Sequence, residues 1–280
     1  MLNNKTIVLD LDGTILNSNK VIQDKDLKTL INLSKFNSVI IASGRHYLEV
    51  ERIINLYRLN NIVERLIISR NGQQIYDIKE RKIVRSMNVK YDELKKIIYE
   101  LDNKNIYWYL IQGKQLFCTK IKYNVLKYLE NKRYNINILS NISELKNLSI
   151  EKIIINSSDI KELKDMRNIL IDNYNVDLFK IEREKIYNNI QYWQNNILPK
   201  NVNKYTAVQY VTKKIGLSKD VIAFGDGIND YELLTNANYS ICMENSCDDL
   251  KKVCNFITKS NDNNGFAFAI NTLNKLTNEQ

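Results

Sequence analysis

Apolar residues recur along the chain in two rhythms. Short unbroken runs, such as Ile7-Val8-Leu9, Val39-Ile40-Ile41 and Ile222-Ala223-Phe224, suit strands buried on both faces. Stretches 24–35 and 47–58 instead space their apolar residues as one face of a helix does. Residues 5–10, 24–35, 37–43, 47–58 and 64–69 therefore predict strand, helix, strand, helix, strand, the alternation of βαβ units on a parallel sheet. The rhythm returns from residue 206: helix 206–216, strand 220–226, helix 229–237, strand 239–243, helix 246–254 and a short strand at 256–258. Between these halves the texture changes, with aromatic-rich strands such as 106–119 and separate helices such as 120–133. The pattern predicts an α/β fold in which residues 1–82 and 191–280 form one discontinuous core domain. An α+β domain inserted over 83–190 is expected to meet it across a cleft.

Composition narrows the class. With 280 residues, 44% hydrophobic and 26% charged, the chain can bury a sizeable core. No window approaches the roughly 18 apolar residues of a membrane span, and Asp10 cuts the first apolar run before it could serve as a signal core. A soluble cytoplasmic protein with no membrane partner is expected. Cys118, Cys242, Cys247 and Cys254 form no CxxC pair and His46 is the single histidine, so a zinc site lacks ligands and the thiols read as reduced and structural. The formal charge of +9 invites a nucleic-acid reading, but Lys and Arg are interspersed with acids, as on solvated helix faces. No nucleic-acid partner is expected. Abundant Lys, Asn, Ile and Tyr with a single proline suggest A/T-rich coding as the source of much of the basicity.

Three predicted core strands run into polar residues. The first ends in Asp10 and Asp12, the second in Ser43, and the third in Asp226, followed by Asn229 and Asp230. The carboxyl ends of parallel strands form the ligand crevice, so these groups are expected to converge. Helix capping explains one polar residue per strand end, but not two carboxylates at each of two ends. Clustered carboxylates repel one another at low dielectric unless a cation is present, and a donor set of oxygen alone favours magnesium. The expected ligands are Asp10, Asp226 with Asp230 assisting, and the main-chain carbonyl of Asp12. A metal so bound invites phosphate. Ser43 offers a hydroxyl, Gly44 lets the backbone approach closely, and Lys204 opens a predicted helix whose N-terminus favours an anion.

These residues fall within four ordered segments, DLDGT at 10–14, ASGR at 42–45, LPKNVNK at 198–204 and GDGIND at 225–230. In that order they resemble the motifs of the haloacid dehalogenase superfamily, and most closely its Cof-type phosphatases with a large α/β cap (class IIB). SRNGQQIYD at 69–77 is similar to the family's Asn-Gly segment, and SNDNNGFAFAI at 260–270 to its C-terminal signature. The resemblance implies a Rossmann-like core and an inserted cap that closes over the substrate. It implies that Asp10 is the nucleophile, forming an aspartyl-phosphate, and that Asp12 is the acid and base, its proton retained with help from neighbouring carboxylates. Ser43 and Lys204 would grip the phosphoryl oxygens, and Asn229 would contact phosphate or orient Asp10.

The implied activity is magnesium-dependent hydrolysis of small phosphorylated metabolites by a monomer or weak homodimer. The alternatives are a phosphomutase or phosphotransferase on the same core chemistry, or a non-catalytic phospho-ligand-binding protein. A dinucleotide-binding reading fails for want of a GxGxxG after a strand. The chain departs from the family at Asn201 and Tyr205, where glycine is usual, and at Glu244, in MENS where MGNA is common. His46 is expected to be structural and Arg45 to pair with a carboxylate. The aromatics at 107–109 and 192–193 are expected to be core. Asn71 and Gly72 are expected to form a turn.

Overall fold

A computed structural model of the chain describes residues 2–122, 134–178, 182–183 and 192–278. It divides into two compact units, Met1–Ser86 with Asn203–Gln280, and Met87–Val202.

In chain order the strands of the first half-core are β1 (Thr6–Leu9), β2 (Ser38–Ile41), β3 (Leu66–Ser69), β4 (Gln74–Asp77) and β5 (Lys82–Ser86). Those of the insert are β6 (Tyr107–Gln112), β7 (Gln115–Cys118), β8 (Asn135–Ile138), β9 (Lys152–Ser157), β10 (Val176–Leu178), β11 (Glu182–Arg183) and β12 (Trp193–Pro199). The second half-core adds β13 (Val221–Gly225), β14 (Tyr239–Cys242) and β15 (Phe256–Ile257).

The core sheet runs β15-β14-β13-β1-β2, every pairing parallel. β1 is an interior strand, with Leu9 beside Phe224 of β13 on one flank and Ile41 of β2 on the other. All four of its residues are buried, as an unbroken run of β-branched and aliphatic side chains requires when helices cover both sheet faces. Each buried aliphatic side chain contributes roughly 1.5–3 kcal/mol. Two helices that close one face, Asp24–Leu33 and Gly265–Asn278, pack Leu30, Leu33, Phe266, Ala269 and Ile270 into the same cluster as Ile7 and Leu9.

β3 departs from the alternation read in the sequence. Its parallel pairing to the core sheet is a single bridge, Ala42 to Ile68, and its main partner is β4 in the antiparallel sheet β3-β4-β5. The tight turn at 70–72 sends the chain straight back and occupies the edge that a further parallel strand would need. Likewise 106–119 is not one long strand. It folds at Gly113 (φ +55°) into the hairpin of β6 and β7, closed by Gln112 opposite Gln115.

The insert's sheet has the order β10-β12-β9-β6-β7-β8 with β11 on β12. The helices Tyr91–Asn103 and Ile160–Asn173 pack on one of its faces, around Trp108, Leu110, Ile153 and Ile155. Tyr107, Tyr109, Ile111 and Leu116 gather in a second cluster, so the alternating aromatics are core, as expected. The unit boundaries follow the sheets: β5 stays with β4 in the first unit, and β12 pairs with β9 in the second. The helix expected at 120–133 falls almost wholly on 123–133, outside the described residues. Among the described residues no helix is long and apolar enough to cross a membrane.

Candidate active site

At the carboxyl end of β1 the chain leaves the sheet at Asp10, a buried carboxylate. Lys204, fully buried, sets its Nζ 2.5 Å from Asp10 Oδ1 and 2.6 Å from Asp230 Oδ1. It opens the helix Lys204–Ile215, whose N-cap Asn203 accepts from the Thr206 N–H at 2.9 Å. Asp230 closes the loop after β13 on itself, because its Oδ2 accepts from the N–H groups of Asp226 (3.1 Å) and Gly227 (3.0 Å). Asp226 is steered by Thr14, whose hydroxyl donates to Oδ1 at 3.0 Å, and by Asn245, whose Nδ2 lies 3.4 Å from Oδ2. Asn245 also donates to the Gly13 carbonyl at 2.9 Å and accepts from the Asn261 N–H at 3.1 Å. Gly13 must be glycine: at φ +75° a Cβ would stand 2.1 Å from Asp226 Oδ2.

Ser43 is buried at the end of β2, its N–H donating to Ile68 O at 2.9 Å and its Oγ accepting from the Arg45 N–H at 3.2 Å. Beside it, a Cβ on Gly44 would lie 2.9 Å from Asn71 Oδ1. Asn229 does not bond Asp10; its Nδ2 donates to Asn71 Oδ1 at 2.9 Å. His46 caps the helix Tyr47–Leu56 by accepting from the Leu48 N–H at 3.3 Å, a structural role.

Asp12 differs from expectation. Arg45 grips its carboxylate with two bonds, Nε to Oδ2 at 2.6 Å and Nη2 to Oδ1 at 2.7 Å, and Lys20 adds a third at 2.8 Å. The hydrogen bond from Arg45, reinforced by Lys20 against partial burial, lowers the Asp12 carboxyl to about 2. Asp12 is thus ionised, and neighbouring carboxylates do not keep a proton on it, because two cations are closer. Arg45 pairs with a carboxylate, as expected.

The remaining acids sit in the opposite environment. Burial pushes Asp10 up to about 7 against the pull of Lys204, and burial with Asp230 nearby pushes Asp226 up to about 6. Burial works to lower Lys204 as well, but Asp10 and Asp230 outweigh it and raise it, so the ammonium keeps its proton. At 2.5 Å from that ammonium we assign Asp10 as the carboxylate of an ion pair. One ammonium faces three acids, a deficit of positive charge that a cation relieves. Asp10, Asp226 and Asp230 each offer an oxygen within 4.8 Å of the others, a donor set that fits a hard divalent ion. Asp12, its side chain engaged by Arg45, has only its main-chain carbonyl left for such an ion.

The departures from the family pattern are absorbed locally. Asn201 takes φ +61°, a left-handed conformation that asparagine tolerates nearly as well as glycine, and its N–H donates to Asp177 at 2.6 Å. Tyr205 packs in the cluster of Ala207, Val208 and Leu233. The Glu244 carboxylate accepts from the Ser260 N–H at 3.2 Å, fastening the C-terminal loop. Sequence reasoning missed Asn245 and Thr14 as parts of the site. Both were in view, one inside the MENS segment and one closing DLDGT.

Known proteins share this architecture. A family model described as haloacid dehalogenase-like hydrolase matches residues 7–270. The 5-amino-6-(5-phospho-D-ribitylamino)uracil phosphatase YwtE of Bacillus subtilis is 26% identical over 96% of this chain and 98% of its own length. A putative phosphatase of Buchnera aphidicola is 28% identical over 96% of both chains. In fold, the chain matches a haloacid dehalogenase-like hydrolase from Bacteroides thetaiotaomicron at a TM-score of 0.72 and 23% identity, covering 97% of this chain and all of that one. It also matches the subclass IIB sugar phosphatase BT4131 at 0.69 and 17%, covering 96% of this chain and 99% of that one. With a family match that runs from β1 into the last helix, the chain belongs to the haloacid dehalogenase-like hydrolases and is an enzyme.

Proposed function

We propose that this enzyme is a magnesium-dependent phosphatase of small phosphorylated metabolites, sugar, nucleotide or cofactor phosphates, acting through an aspartyl-phosphate on Asp10. The observation that carries the reading is the convergence of Asp10, Asp226 and Asp230 on the buried ammonium of Lys204 at the end of β1. The phosphatase names of full-length relatives support it, and YwtE and BT4131 favour small phosphorylated substrates. The enzyme is read as cytoplasmic and as a monomer or weak homodimer.

In the first half-reaction a carboxylate oxygen of Asp10 attacks phosphorus and the ester P–O bond breaks, its electron pair leaving with the alcohol oxygen. Asp12 supplies the proton to that oxygen. Since Arg45 and Lys20 hold Asp12 ionised, it takes this proton from solvent water once the anionic substrate draws those cations away, and passes it to the leaving alcohol oxygen. In the second half Asp12 accepts a proton from water as that water attacks phosphorus, regenerating Asp10 and releasing inorganic phosphate. The Ser43 hydroxyl, the Gly44 N–H, the Lys204 ammonium and the Asn229 amide donate to the phosphoryl oxygens. Asp10, Asp226 and the Asp12 carbonyl, with Asp230 behind them, would hold magnesium, which would supply the positive charge that makes the pairing of two anions tolerable. The insert is the cap that selects the substrate.

The test is phosphate release from a panel of phosphorylated metabolites, with magnesium or with EDTA, for the wild type and Asp10→Asn. Release that requires magnesium and vanishes in the variant is expected. Equal turnover in the variant overturns the nucleophile assignment, and transfer to an alcohol in place of water points to a phosphotransferase.

A further inference from the structure

We propose that Asn71 is a positioning residue for phosphate, a role that rests on the reading of the site above. Asn71 lies in the turn between β3 and β4, where Arg70 (φ +52°), Asn71 (+56°) and Gly72 (+96°) are consecutive left-handed residues. Such a run is costly for side chains other than Gly and Asn, so its surroundings must enforce it. The Asn71 N–H donates to the Ser43 carbonyl at 3.0 Å, and the Arg70 N–H to the Arg45 carbonyl at 3.0 Å. Gly72 presses on the third motif, LPKNVNK: a Cβ there would stand 2.1 Å from the carbonyl of Asn203, the residue before Lys204. The Asn71 side chain reaches the fourth, accepting from Asn229 Nδ2 at 2.9 Å.

One turn thus touches all three segments assigned to the phosphoryl group. Its effect on Asn229 is the most specific. Asn229 Oδ1 lies against Gly227, where a Cβ would be 2.3 Å away and leave no room, and Nδ2 is tied to Asn71, so the bond to Asn71 orients the amide. An amide nitrogen carries two hydrogens. The bond to Asn71 uses one and leaves the other for a phosphoryl oxygen.

The experiment compares Asn71→Gly, which keeps the left-handed backbone and removes the amide, with Asn229→Ala and the double variant. Melting temperature, kcat, KM and calorimetric binding of inorganic phosphate in magnesium are measured for each. Asn71→Gly is expected to keep the wild-type melting temperature within a few degrees, to weaken phosphate binding and raise KM by about tenfold, and to add nothing in the Asn229→Ala background. Unchanged KM and phosphate affinity, or effects that add in the double variant, overturn the proposal. If phosphate binding weakens in Asn71→Gly while the wild type hydrolyses no ester, the positioning role stands and the phosphatase reading alone fails. If the wild type hydrolyses esters and Asn71→Gly matches it, the reverse holds. A wild type that neither hydrolyses nor binds phosphate overturns both.

Discussion

The Nζ of Lys204 lies 2.5 Å from Oδ1 of Asp10, although 194 residues separate the two in the chain. Both are buried, and Asp230 is the ammonium's second partner at 2.6 Å. Breaking a buried ion pair from one side leaves an uncompensated charge and costs about 3–5 kcal/mol. Lys204→Met is therefore expected to be destabilised by that order in urea denaturation, and to lose about a hundredfold or more in kcat. Added magnesium should recover stability but not turnover. A variant as stable as the wild type without magnesium would contradict the charge deficit inferred for the site.

Magnesium at the proposed site should stabilise the fold, since Asp10 comes from one half of the core and Asp226 and Asp230 from the other. At a hundred times its dissociation constant, a ligand that binds only the native state adds about 2.7 kcal/mol. The melting temperature is expected to rise with magnesium in the wild type and to rise less in Asp226→Asn. An identical rise in both would place the ion elsewhere.

Gly13→Ala tests the packing of the first motif on the fourth. The new methyl would need the space of Asp226 Oδ2, and a left-handed alanine adds roughly 1–2 kcal/mol of strain. The variant is expected to fold, by circular dichroism, while losing the magnesium-dependent rise in melting temperature.

Asp26 provides a pH dependence remote from the site. It is buried in the helix Asp24–Leu33 and accepts from the Ala267 N–H at 2.8 Å, in the first turn of the C-terminal helix. Burial, opposed by that hydrogen bond, pushes its carboxyl up to about 6. An unfolded aspartate titrates near 3.9. Between about pH 4 and about 6 the folded chain binds a proton that the unfolded chain does not, so this residue's effect is to lower stability as pH rises. The change approaches roughly 3 kcal/mol and is complete above about pH 6. Asp26→Asn keeps the acceptor without the charge. It is expected to match or exceed the wild type at pH 7 and to lose that advantage at pH 4.5, measured by urea denaturation at both.

The four motifs were legible because each joins a buried strand or a helix start to polar groups that a strand end alone does not require. The pairing of Arg45 with Asp12 was foreseen in kind, but its consequence for the proton on Asp12 was not. That depends on two cations, Arg45 and Lys20, reaching the same carboxylate from different loops. Asn245 and Thr14 act through bonds spanning 232 and 212 residues, and no local periodicity reports such contacts. β3 was recognised as a strand, but its antiparallel partner was not. Pairing direction is decided by the turn at 70–72, where an Asn-Gly signal was read without its effect on the strand before it.

The position of β1 has a consequence for how the protein is made. β1 and β2 are synthesised early, but the other edge of β1 pairs with β13, Thr6 against Val221 and Leu9 against Phe224. Until the ribosome has delivered the whole insert and the helix Lys204–Ile215, the strand that leads into Asp10 presents an unpaired apolar edge. The insert can collapse on its own during that interval, whereas the core must wait for its last third. A released fragment ending at residue 202 should thus contain a folded second unit and an open, chaperone-accessible first one.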